Sequence, residues 1–258
     1  MSHFSLLSRE HAAFQEATCP LKSHTLSTTM SLCSIQTQET VNAEWNAMAG
    51  DWDDLASGYR DSFQTVLWED TGLDPKKLCT IVDFGCDTGL LTESLVASCP
   101  KAKIICIDAA QDMISQVEEK IQARQGWRNN VEAHGTILGR MDRLDMEEPR
   151  KIIESLKGQV DLIVASSVMS FIPKSDLTKT MEELGKLLRP NGIFCHSDWP
   201  QSDQDPCGFS KESACDLYEK GHLKMKSHCL KTISMGSNDA SIFVGVAYLP
   251  HYVRSHIN

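Results

Sequence analysis

The chain has 258 residues, 41% apolar and 23% charged, enough for one large domain with a full core. Acidic residues outnumber basic ones by 35 to 25, and Lys and Arg form no long basic run, which argues against a nucleic-acid surface. No apolar run approaches the roughly 20 residues of a bilayer span, so no membrane segment is expected. Ten cysteines are scattered through the chain without a Cys-x-x-Cys pair, which predicts reduced thiols, no metal site and a cytoplasmic setting.

Residues 1–40 are rich in Ser and Thr without periodicity and read as a disordered extension, with the domain expected over 41–258. Glu10, Glu16 and the shortage of Arg argue against a transit peptide. In "NAEWNAMAGDWDDLASGYRDSFQTVLW" the apolar and aromatic residues, among them Trp45, Met48, Ala49 and Trp52, recur at spacings of three and four, which predicts one or two helices ahead of the sheet. From residue 78 short β-branched runs take over: "CTIVDFG", "KIICIDA", "NVEAHGTI", "VDLIVASS" and "GIFCHSDW". Between them lie "TGLLTESLVASC", "QDMISQVEEKIQA", "MEEPRKIIESLK" and "SDLTKTMEELGKLL", all with helical periodicity. "RPNG" at 189–192 is expected to end and cap the last of these helices. After a helix near 210–221, "HCLKTISM" and "ASIFVGVAYL" are separated only by "GSND", a link that permits only an antiparallel hairpin. The fold class is therefore α/β: a doubly wound, mostly parallel seven-stranded sheet ending in an antiparallel hairpin.

The chemistry concentrates in "IVDFGCDTGLLTESL". Gly85 follows an apolar strand and Gly89 opens a helix, the setting in which backbone amides meet a ligand. Asp108 ends the next strand, 23 residues beyond Gly85, suitably placed for a ribose diol. The bland alternative is a structural turn plus an acidic strand end that caps the following helix. Asp87 occupies the place of the second glycine in a pyrophosphate loop, so its charge disfavours phosphate and tolerates a ligand with a cationic end. Asp is also among the few residues that visit a left-handed backbone.

On these motifs, from about residue 42 onward, the chain resembles the class I S-adenosylmethionine-dependent methyltransferases of the small-molecule type. The resemblance implies a cofactor, S-adenosyl-L-methionine, whose methionyl part lies along Gly85, Cys86 and Gly89, with Asp87 near its cationic groups. It further implies that Asp108 holds the ribose, that Ala109 and Met113 lie beside the adenosine, and that Ser166 of "VDLIVASSVMSFI" flanks the methionyl chain. At the adenine Thr136 and Ile137 would serve, or Asp142. "WNAMAGDWDD" is similar to the family's lid helix, which makes Trp52 and Tyr59 lid candidates. His196 and Asp198 of "CHSDWP" share strand parity and hence one face, so they are the catalytic candidates. His134 and His222 are weaker ones, and Trp199 either lines a substrate pocket or simply packs. Base-modifying relatives carry an Asn/Asp-Pro-Pro-aromatic motif where this chain has Ser166, Ser167, Val168 and Met169; a small-molecule O or N acceptor is the expectation, with the oligomeric state open. Two rivals stand beside it: a catalytically inactive methyltransferase-like binding protein, and an NAD-dependent oxidoreductase.

Overall fold

The computed structural model describes residues 37–139, 147–202, 208–235 and 238–251. Two helices lead into the sheet, α1 (Gln38–Met48) and α2 (Trp52–Thr71). Thr37 caps α1, its hydroxyl accepting from the Thr40 amide at 3.3 Å, so the helix starts a few residues inside the expected extension. Strand and helix then alternate as β1 (Thr80–Phe84), α3 (Leu90–Ser98), β2 (Lys103–Asp108), α4 (Gln111–Ala123), the four-residue α5 (Gln125–Arg128) and β3 (Val131–Gly135). They continue as α6 (Glu147–Leu156), β4 (Val160–Ser166), α7 (Lys174–Leu187), β5 (Leu188–Asp198), α8 (Lys211–Lys220), β6 (Lys224–Met235) and β7 (Asn238–Tyr248).

The strands form one seven-stranded sheet in the order β3-β2-β1-β4-β5-β7-β6. β1 to β5 pair in parallel, whereas β7 pairs antiparallel with both β5 and β6. The expected architecture is thus present. Both faces of the sheet are covered, and side-chain alternation divides the core in two. Ile81, Ile104, Cys106, Leu162 and Val164 pack toward α2, α3 and α4. Val82, Ile105, Ile107, Ile163 and Ala165 pack toward α6, α7 and α8. No helix among the described residues is long and apolar enough to cross a membrane.

Two boundaries differ from expectation. "RPNG" does not close the helix: α7 ends at Leu187, and Leu188 already pairs with Val160 as the first residue of β5. The strand carries an irregularity before Ile193 meets Leu162, with Asn191 at φ 61°. β6 begins at Lys224, four residues ahead of the predicted run, because three of these four residues, Lys224, Lys226 and Ser227, are polar and exposed on the sheet's edge. The strand order reverses between β1 and β4, and the crevice at their carboxyl ends is where open α/β sheets bind ligands.

Candidate functional site

The loop after β1 is built on left-handed backbone. Gly85 has φ 67°, Asp87 φ 49° and Gly89 φ 85°. A Cβ on Gly85 would lie 2.4 Å from Cγ2 of Val168, so hydrogen alone fits between the ends of β1 and β4. The amides of Gly85 and Cys86 both donate to the Ile107 carbonyl, at 2.8 and 3.2 Å, which ties the turn to β2. Asp108 fastens both the loop and the start of α4: the Asp87 amide donates to its Oδ2 at 3.0 Å and the Ala110 amide to its Oδ1 at 2.8 Å. The Ala109 amide bonds to the same carboxylate, which leaves one lone pair of the two oxygens for a ligand.

Around this loop lies a cleft of about 590 Å³, counting the space at its open mouth. Its floor is Phe84, Gly85, Asp87, Asp108 and Ala109, and one end is Thr136, Ile137 and Leu138. The α1 residues Gln38, Val41, Asn42 and Trp45 form one wall; Ser167, Val168, Phe171 and Ile172, following β4, form the other. Trp45 joins the walls, its ring standing edge-on to Phe171 at 5.2 Å and to Trp52 at 5.1 Å.

Negative charge gathers at the floor. Burial pushes the Asp108 carboxyl up to about 6, and burial together with the neighbouring Asp108 raises Asp83 to about 7. Asp87 is driven well above the usual carboxylate range by burial and then by Asp108 and Asp83, against a lowering hydrogen bond from Trp52. Among the described residues no lysine or arginine is a cause of these shifts. Burial and mutual repulsion thus act together on neighbouring carboxyls, Asp87 and Asp108 in the cleft and Asp83 outside its lining.

Of the predicted site residues, Gly85, Asp87, Asp108, Ala109, Thr136 and Ile137 come together in the cleft. Five others do not line it. Cys86 is buried in the core, and Gly89 packs against Val117 and Trp127 where α3 starts. Met113 and Trp52 belong to a small core beneath the lid with Ala49, Ala56, Leu90 and Ala110. Ser166 lies beside Ser197, and the neighbouring Ser167, turned by its φ of 54°, takes the cleft position instead. The side chain of Tyr59, and Asp142 altogether, lie outside the described residues.

His196 and Asp198 share a face as expected, but they do not point into the cleft, which corrects their reading as catalytic candidates. Both are fully buried. His196 Nδ1 meets the Tyr218 hydroxyl at 2.7 Å among Phe194, Phe209 and Phe243, and burial lowers its pKa to about 3. Asp198 accepts from the Ser170 amide at 3.0 Å, the Ser170 hydroxyl at 2.6 Å and the Trp199 amide at 2.9 Å. Parity fixes the face of a strand, not what covers it. Trp199 packs into the core, His134 lies 3.7 Å from Glu132 on β3, and His222 is exposed in the turn after α8. The contributions of Gln38, Asn42 and Phe171 were missed; of the α1 wall, only the aromatic spacing at Trp45 was a signal.

Comparison with known proteins agrees with this architecture. A methyltransferase-domain model matches residues 82–194. Over 122 residues the chain is 33% identical to an uncharacterised methyltransferase of Emericella nidulans, a match covering 46% of this chain and 41% of that protein. A malonyl-[acyl-carrier protein] O-methyltransferase of Halalkalibacterium halodurans is 32% identical over 117 residues, 45% of this chain and 38% of the relative. The chain thus spans less than half the length of these relatives. In fold it is similar to the 1,6-didemethyltoxoflavin-N1-methyltransferase of Burkholderia thailandensis, with a TM-score of 0.62 at 12% identity over 84% of this chain and 92% of that one. The matched stretch runs from β1 into β5 and includes both the glycine turn and Asp108, and over these residues the chain is similar to the methyltransferase-domain family.

Proposed function

We propose that this chain transfers the methyl group of S-adenosylmethionine to an O or N nucleophile on a small molecule. The observation that carries the reading is the acidic floor of the cleft, where Asp87 and Asp108 face the space that a cationic ligand would fill. When bound, the cofactor supplies an electrophilic methyl group on a sulfonium. The remaining lone pair of Asp108 accepts from a ribose hydroxyl while its other contacts keep the loop folded. Asp87 sets a carboxylate toward the cationic methionyl end. Ala109, Thr136, Ile137 and Leu138 flank the adenine, and Trp45 and Phe171 close the walls against water. With His196 and Asp198 buried, the protein contributes alignment and a dry cleft rather than that acid–base pair.

The acceptor is read as a small molecule because the two walls meet through Trp45 and Phe171 over a narrow cleft. The relatives named for malonyl-[acyl-carrier protein] and trans-aconitate give two acceptors to try first. Titration calorimetry with S-adenosylmethionine and with NADH should show binding of the former only. Release of S-adenosylhomocysteine is then measured against a malonyl thioester, trans-aconitate and a panel of small phenols and amines. Absence of S-adenosylmethionine binding at micromolar protein would replace this reading with that of an inactive, methyltransferase-like binding protein.

A further inference from the structure

Resting on that reading, we infer that Asp53 is a positioning residue, a latch that holds the helical lid to the cofactor loop. The first two residues of α2 engage two consecutive residues of the loop: Trp52 hydrogen bonds to the Asp87 carboxyl, and Asp53 accepts from the Thr88 hydroxyl. The second oxygen of Asp53 accepts from the Lys120 ammonium at 2.7 Å. One carboxylate therefore joins three elements: the lid, the turn after β1, and α4, the helix that comes after Asp108. Thr88 is almost fully buried and the Lys120 side chain is 14% exposed, so both partners of Asp53 are shielded from solvent. Burial pushes the Asp53 carboxyl up, but the bonds from Lys120 and Thr88 outweigh it and leave the group below its ordinary value, ionised at neutral pH.

The latch bears on the cleft through α1. Only residues 49–51 separate α1 from α2, and Trp45 packs edge-on against Trp52. Next to Trp45, near the same end, α1 is tied down again, because Asn46 Oδ1 accepts from the Asp112 amide at 2.9 Å at the start of α4. Fixing Asp53 to the loop therefore sets where Gln38, Asn42 and Trp45 stand over the cleft. It also relates the lid to Asp87, whose neighbour Thr88 is held by the same helix end. Asp53 touches neither cofactor nor acceptor; it acts by slowing the escape of the cofactor beneath the lid.

The test is a double-mutant cycle on Asp53→Ala and Thr88→Val, read by stopped-flow release of S-adenosylmethionine, with Asp53→Asn as the conservative variant. Each single change should speed release about tenfold, with the double variant no faster than either single one. Asp53→Asn keeps an acceptor for Thr88 and should fall between parent and Asp53→Ala. Amide hydrogen exchange in 38–71 should rise in Asp53→Ala while the strands stay protected. Release within about twofold of the parent, or fully additive effects, would overturn the latch. Should the parent itself not bind S-adenosylmethionine, the cofactor reading fails, and unchanged lid exchange in Asp53→Ala would still overturn the latch separately.

Discussion

Asp83 is where the sheet interior meets the charge of the site. Its Oδ2 accepts from the Thr92 hydroxyl at 2.6 Å while Oδ1 is buried without a partner, and burial raises the group from an ordinary 3.8 to about 7. Asp108 is raised in the same direction, to about 6. For a raised carboxyl the protonated form favours the fold. The stability it contributes is complete below about pH 4 and is lost as pH rises through about 6 to 7. Asp83→Asn, which stays neutral, should therefore gain melting temperature relative to the parent as pH is raised from about 5 to 8. A constant difference would mean that Asp83 does not titrate in that window. A cationic cofactor favours the ionised carboxyls, so its affinity should rise over the same interval, and a flat calorimetric profile would count against an acidic floor facing it. At this scale the sequence was partly legible. Asp87 proved to be a left-handed residue, as its type suggested. The reason for Gly85, a clash with Val168 across two strand ends, joins positions far apart in the chain and no local pattern carries it.

Among the elements, the short 3₁₀ turn Met169–Phe171 shows how a buried acid shapes the cleft without entering it. Asp198 holds both the amide and the hydroxyl of Ser170, and the next residue is Phe171 in the cleft wall. Asp198→Ala leaves the buried Trp199 amide without its acceptor, at about 1–3 kcal/mol, and the part-buried Ser170 amide without its own at a smaller cost. Denaturant unfolding should show that loss, with Asp198→Asn between Asp198→Ala and the parent, because an amide oxygen in the place of Oδ1 still accepts from the Ser170 hydroxyl and the Trp199 amide while the NH2 group meets the Ser170 amide. If Asp198→Asn instead kept full stability and lost all activity, Asp198 would be a catalytic acid or base after all. The central strands were readable because parallel strands buried on both faces give continuous apolar runs such as "KIICID". The four residues of α5 and the irregular start of β5 were not readable: too short for periodicity in one case, and punctuated by Pro190 and Gly192 in the other.

For the molecule as a whole, the lid begins where the Ser/Thr-rich stretch was expected to continue. Gln38 lines the cleft and Thr37 caps the helix that carries it. Removal of residues 1–40 should therefore weaken S-adenosylmethionine binding relative to removal of 1–36, by about tenfold when lost capping is added to a lost wall residue. Equal affinity of the two truncations would show that the first turn of α1 is dispensable.

β6 ends the sheet, and that position governs how copies of the protein meet one another. Its 12 residues carry Leu230 at 65% exposure, while Lys226 and Lys231, charges that would blunt such an edge, are turned back onto the Thr71 carbonyl and Asp70 of α2. Mutual repulsion, from a net charge of −10 at pH 7, is then what keeps these edges apart. Near the isoelectric point of about 5.3 that repulsion vanishes, and self-association through β6 is the expected outcome there; light scattering should rise at that pH and fall in Leu230→Lys, and equal scattering of the two would count against the edge.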